Sequence, residues 1–122
     1  MKNAVVWSEI AVRDLKRATA FYEKLLDGKL KQENFGPFEI ALFPHDADGV
    51  GGCLMRGEGY EPSGKGTVTY LAATPGIDAA LERARAAGAK VLMPKTQLPG
   101  EQGYIAHVSD CEGNRIGLHA MS

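Results

Sequence analysis

The chain has 122 residues, of which 44% are hydrophobic and 24% charged, and its formal net charge is −1. That length suits one domain able to bury roughly two thirds of its unfolded surface. The balanced charge argues against nucleic acid as a partner, which would need a basic excess on one face, and disfavours a strongly cationic ligand. No stretch approaches the roughly 18 apolar residues of a membrane span, and no signal-peptide core is visible at the N-terminus. Cys53 and Cys111 are far apart with no CxxC spacing, so free thiols and a cytoplasmic location are expected.

In chain order, VVWSEIAV (5–12) reads as a strand. Alternation puts Trp7, Glu9 and Ala11 on one face and Val6, Ser8, Ile10 and Val12 on the other. The second set suits packing beneath a helix. A helix over 14–26 follows, with Asp14 as N-cap, Leu15, Ala18, Tyr22 and Leu25 as an apolar stripe, and Gly28 at its end. Strands are expected near 29–34, 38–44 and 50–56, and then the Gly-rich GEGYEPSGKG (57–66) links to a second half as a flexible flap.

The second half repeats the first: strand 66–73, helix 77–87 carrying Ile77, Ala80, Ala84 and Ala87, then strands near 89–94, 103–109 and 114–120. FEIALFPHDADGVGGCL and GYIAHVSDCEGNRIGL match with a one-residue gap. The chain is thus read as one α+β domain over 1–122, made of βαβββ repeats at about 1–57 and 66–122. Each repeat alone is marginally small. Paired, they form a curved mixed sheet around a cleft with the helices outside, and a concave face suits a small-molecule ligand.

EIAVRDLKRATAFYEKLL, DAALERARAAGAKVL and DCEGNRIGLH resemble the vicinal oxygen chelate superfamily, the group of glyoxalase I, bleomycin-resistance proteins and extradiol dioxygenases. The likeness covers essentially the whole chain, through a DxxRAxxFYxxLL element and a DxEGNxIxL ending in a doubled frame. It implies a homodimer. In metal-dependent members, His, Glu or Gln side chains from four strands hold one divalent ion. That frame puts Trp7, Cys53, Thr69 and Gly117 at the ligand positions. Indole has no lone pair for a metal, glycine has no side chain, threonine is a poor neutral ligand, and one thiolate is not a site. No metal or other cofactor is therefore predicted, and a metal would need a nonstandard set such as Glu9, Cys53 and His119.

The resemblance turns the Trp7 face toward the cleft, and parity extends the candidate lining to Trp7, Glu9, Cys53, Met55, Thr69, Leu71, Gly117 and His119. The leading expectation is a metal-independent small-molecule binder. The alternative is a glyoxalase-like lyase or isomerase, with Glu9 and His119 as acid/base groups. A purely structural Glu9 would be satisfied by backbone N–H groups, Thr69, Arg115 or His119. His45 is expected in a solvated turn, the face of His107 is undefined, Cys53 is read as inert packing, and Cys111 as exposed and the more oxidisable thiol.

Overall fold

The computed structural model describes all 122 residues. The elements run β1 (Trp7–Ala11), α1 (Leu15–Leu26), β2 (Lys31–Phe35), β3 (Phe38–Leu42), β4 (Gly51–Arg56), β5 (Thr69–Ala72), α2 (Ile77–Ala86), β6 (Lys90–Gln97), β7 (Tyr104–Ser109) and β8 (Arg115–Ala120). They form two four-stranded sheets of the same design, ordered β1-β4-β3-β2 and β5-β8-β7-β6. In each, the first and last strands of a βαβββ unit pair in parallel, and the other pairs are antiparallel.

Local chemistry sets the helix ends. Asp14 accepts from the backbone N–H of Arg17 and caps α1, while Asp27 closes it in the left-handed region at φ 52°. The apolar stripe of α1 (Leu15, Ala18, Phe21, Tyr22, Leu25) and that of α2 (Ile77, Ala80, Leu81, Ala84) are buried against alternate residues of both sheets. Those sheet residues include Ile10 and Leu54 in the first half, and Val108, Ile116 and Leu118 in the second. Burying each such side chain stabilises the fold by about 1.5–3 kcal/mol before entropy is counted. The helices also bind each other: Arg83 Nε donates to the carbonyl of Leu25 at 2.9 Å and Lys24 Nζ to that of Ala86 at 3.2 Å.

A second clasp joins the halves. Asp110, Glu112 and Asn114, in the turn before β8, are the three buried polar or charged residues of the chain. Asp110 accepts from Tyr22 Oη at 2.5 Å, from the backbone of Glu112 and Asn114, and from Asn114 Nδ2. Glu112 accepts from the backbone N–H groups of Arg13 and Asp14, both at 2.9 Å, and from the Arg17 guanidinium at 3.0 Å. Asn114 Nδ2 reaches the carbonyl of Ala11. The DCEGN turn of one half therefore seats the start of α1 in the other, where an anion also meets the positive end of the helix.

Most strands are trimmed by one to three residues relative to expectation, and three boundaries stand out. β1 starts at Trp7 because Val5 and Val6 stand exposed without strand partners. β5 is shorter than 66–73. β6 runs three residues past 94, tolerating Pro94 at the outer edge of its sheet beside register shifts.

Candidate functional site

The inner edge strands β1 and β5 meet at a seam bridged by side chains, with Ser8 Oγ 3.0 Å from Thr69 Oγ1. A groove of about 1020 Å³ follows this seam, and its lining includes Trp7, Glu9, Thr69, Tyr70, Leu71 and Arg115. The faces of β1 are as the alternation predicts. Glu9 is in register with Cys53, and Ile10 with Leu54, so Trp7, Glu9, Cys53 and Met55 share the face away from the helices.

The second half is out of phase with the expected parity. Tyr70 pairs with Gly117, whereas Thr69 pairs with Ile116 and Leu71 with Leu118, both core residues. Thr69 and Leu71 therefore reach the groove from its helix side at the seam, and Tyr70 takes the inward position. The cause is one extra residue between strand and helix. Val12, bonded to the Met55 carbonyl, precedes Leu15 by three positions, whereas its counterpart Ala73, bonded to the His119 carbonyl, precedes Ile77 by four.

Cys53 (0% exposed) and Met55 (3%) do not line the groove; they are sealed with Ile40 under Phe38, Leu42 and Tyr60. Burial, and then the charge of Glu9, pushes the Cys53 thiol up to about 11, with the Trp7 side chain acting in the opposite sense. Gly117 is covered by the Tyr70 ring, which lies 2.4 Å from where a Cβ would project. His119 is turned to the β7 side, its Nε2–H donating to the Gln102 carbonyl at 2.7 Å. Glu9 and His119 thus form no couple.

The partner of Glu9 is Tyr60, whose hydroxyl donates to Oε1 at 2.7 Å and whose pKa is raised chiefly by that bond. Neither Thr69, Arg115 nor His119 contacts it within hydrogen-bonding distance. Tyr60 comes from the linker, which is tied down and not a free flap. Its ring packs edge-on against Phe38, Glu61 pairs with Arg13, and the Ser63 backbone donates to Asn114 Oδ1.

His45 is exposed beside Trp7, both rings lying within about 3 Å of a Cβ position on Gly51. His107, whose face was undefined, stands between Tyr70 and Arg115 on the inward side. Cys111 is partly buried against the core, contrary to the expected exposure, and its thiol is raised by burial and then by Asp110.

The four frame positions do not fit a divalent ion. They hold an indole, a buried thiol disfavoured as thiolate, a threonine hydroxyl engaged with Ser8, and a glycine under a tyrosine ring. No group of three or more His, Cys, Asp and Glu side chains is gathered to hold a metal, and the alternative set of Glu9, Cys53 and His119 is not assembled.

Paired βαβββ units with helices outside and a groove at the joint define a two-module α+β fold. The chain belongs to the Glyoxalase/Bleomycin resistance protein/Dioxygenase superfamily, whose family model matches residues 4–118. Among solved structures it is similar to glyoxalase I from Zea mays, with TM-score 0.69, 22% identity, and coverage of 95% of this chain and 45% of that one. It is also similar to a glyoxalase/bleomycin resistance protein/dioxygenase family enzyme from Burkholderia phytofirmans PsJN (TM-score 0.68, 18% identity, coverage 96% and 98%). A third is the fosfomycin resistance protein FosX from Listeria monocytogenes (TM-score 0.67, 20% identity, coverage 98% and 92%). The chain thus spans less than half of the maize enzyme, and at these identities the likeness is one of fold. No curated protein matches it.

Proposed function

We propose that the protein is a metal-independent small-molecule binder whose ligand lies in the groove between β1 and β5. One observation carries this reading: the inward positions at the seam present Trp7, Glu9 and Tyr70 where a metal site would need several imidazole or carboxylate donors. An indole and a phenol give flat surfaces for an apolar ligand body, and the carboxylate and hydroxyl orient it. Trp7 is the single tryptophan and is 45% exposed, so its fluorescence reports on the groove directly.

The test is the metal content of untagged protein purified without chelators, with melting curves in added nickel, zinc, manganese and iron(II). The expected result is no stoichiometric metal and no stabilisation by any of the four. About one ion per chain, with a matching thermal shift, overturns the reading.

The Glu9–Tyr60 bond favours a second reading, a lyase or isomerase in which Glu9 is the base. Glu9 Oε1 is held by Tyr60 while Oε2 has no partner in the chain. With a ligand in hand, the two readings separate. Glu9→Gln would abolish turnover with little change in affinity if Glu9 is the base, and would change affinity alone if the protein only binds. As assembly we propose a homodimer in the cytoplasm, supported by the family and by the exposed Val5, Val6 and Trp7 beside the groove. A monomeric mass by sedimentation at micromolar concentration removes the dimer.

A further inference from the structure

Three side chains on the second-half side of the groove form a directed chain of hydrogen bonds. Arg115 Nη1 lies 2.9 Å from His107 Nδ1, and His107 Nε2 lies 2.6 Å from Tyr70 Oη. A guanidinium has donors and no acceptor, so His107 Nδ1 must accept and carry no proton. The imidazole is then neutral, with its hydrogen on Nε2, and that N–H donates to the Tyr70 oxygen. The hydroxyl hydrogen of Tyr70 is consequently not used by His107 and is free for another acceptor.

The geometry is held from several directions. The Tyr70 and His107 rings meet edge-on with centroids 5.3 Å apart. Gly117 leaves the space the Tyr70 ring fills, and no other residue would, since any Cβ there would overlap the ring. Burial, then the charge of Arg115, lowers the pKa of His107 and keeps the imidazole neutral near pH 7. Arg115 has no carboxylate within ion-pair distance, unlike Arg13, Arg17 and Arg56. The lining also holds Glu9 and Glu61, so the guanidinium of Arg115 is set apart by its bond to His107 and not by an excess of charge.

We propose that Arg115, His107 and Tyr70 form a relay in which the Tyr70 hydroxyl donates to the carboxylate of a small organic acid bound in the groove against Trp7. Arg115 polarises the imidazole, the imidazole N–H polarises the phenol, and the phenol meets the anion, so each bond strengthens the next. Tyr70 is the binding group, and His107 is a positioning residue acting through it. This rests on the metal-independent reading of the groove and names the ligand class that reading leaves open.

The experiment titrates the protein with benzoate, phenylacetate and 4-hydroxybenzoate, and with benzamide as the neutral counterpart of benzoate, following Trp7 fluorescence. At least one acid is expected to bind, and benzamide at least tenfold more weakly than benzoate if benzoate is the one bound. Tyr70→Phe should weaken the acid at least tenfold while melting near the wild-type temperature, because Tyr70 is 46% exposed and loses only its hydroxyl. Long-range proton–nitrogen correlation spectra should show His107 protonated on Nε2 and bare on Nδ1 at pH 7. A proton on Nδ1, an acid affinity indifferent to Tyr70→Phe, an equal affinity for benzamide, or no binding of any of the three acids each overturns the relay. None of those outcomes touches the metal-independent reading, which falls only on the metal content.

Discussion

Glu112 offers the sharpest energetic test because its side chain is 1% exposed and serves as acceptor for three donors of the other half. Burial works against its ionisation, but the backbone N–H groups of Arg13 and Asp14 and the Arg17 guanidinium outweigh it, so its pKa lies below the usual carboxylate value. In Glu112→Gln the shape is kept, but one carboxylate oxygen becomes an amide nitrogen that faces a donor. Charged acceptor bonds contribute about 1.5–3 kcal/mol each and neutral ones about 1. One lost bond and two weakened bonds give a destabilisation of about 4 kcal/mol. At roughly 4 °C per kcal/mol for a domain of this size, the melting temperature should fall by about 16 °C.

The pH dependence fixes the sign. A carboxylate with a depressed folded pKa stabilises the fold fully above its unfolded pKa, and that contribution is lost as the pH falls through the folded value. Urea unfolding of both proteins should therefore show a constant gap from pH 6 to 8, narrowing below the ordinary carboxylate value of about 4.5. A gap under 1 kcal/mol at pH 7, or one that fails to narrow between pH 6 and 3, refutes the view that the DCEGN turn clasps α1 through the charge of Glu112.

In native protein at pH 8, a disulfide reagent should leave Cys53 unmodified, since burial and a pKa of about 11 leave roughly one thiolate in a thousand; mass mapping that finds Cys53 labelled before unfolding refutes this. Gly117→Ala should displace the Tyr70 ring, cost about 1–3 kcal/mol in urea unfolding, and weaken acid binding about tenfold, because the new methyl overlaps that ring. Unchanged binding would show that Tyr70 is not held where the proposed relay needs it. Glu9→Gln should shift stability by less than about 0.5 kcal/mol, since Glu9 is exposed and bonded only to Tyr60. A larger loss in thermal melts makes Glu9 a structural residue.

The first half of the site was readable because its signal is local. Strict alternation along WSEIA fixes which side chains face the helices, and the Asp14 cap fixes where α1 begins. The frame of the first half does not carry over to β5, where Thr74, Pro75 and Gly76 occupy the space that Arg13 and Asp14 fill in the first half. One added residue inverts every side chain of a strand, and so the inward residue is Tyr70 where the family frame points to Thr69 and Leu71. Tyr60 carried no periodic signal at all, because a Gly-rich linker has no face until it is laid on something. The DCEGN turn was legible as a turn, but not as a clasp, since its partners Arg13, Asp14 and Arg17 lie nearly a hundred residues away in sequence.

The internal repeat gives the site its logic. Val12 and Ala73 make the same backbone bond in their halves, so two steps before Ala11 and Ala72 the equivalent inward residues are Glu9 and Tyr70, opposite Cys53 and Gly117. Two copies of one unit would present like groups across the seam, and like charges meeting in a half-buried groove repel. Here the copies have diverged in opposite senses. Glu9 is an acceptor whose one bound oxygen takes a phenol from the linker, and Tyr70 is a donor backed by a neutral imidazole and a guanidinium. A groove with an acceptor at one strand and a donor at its counterpart selects a ligand with two unlike ends. An acid that carries a hydroxyl at its far end matches both, and 4-hydroxybenzoate should therefore bind more tightly than benzoate. It should lose that advantage, and only that advantage, in Glu9→Gln, as read by the same fluorescence titration. Equal affinities for the two acids in the unaltered protein would leave Tyr70 as an anion site without Glu9 as its complement.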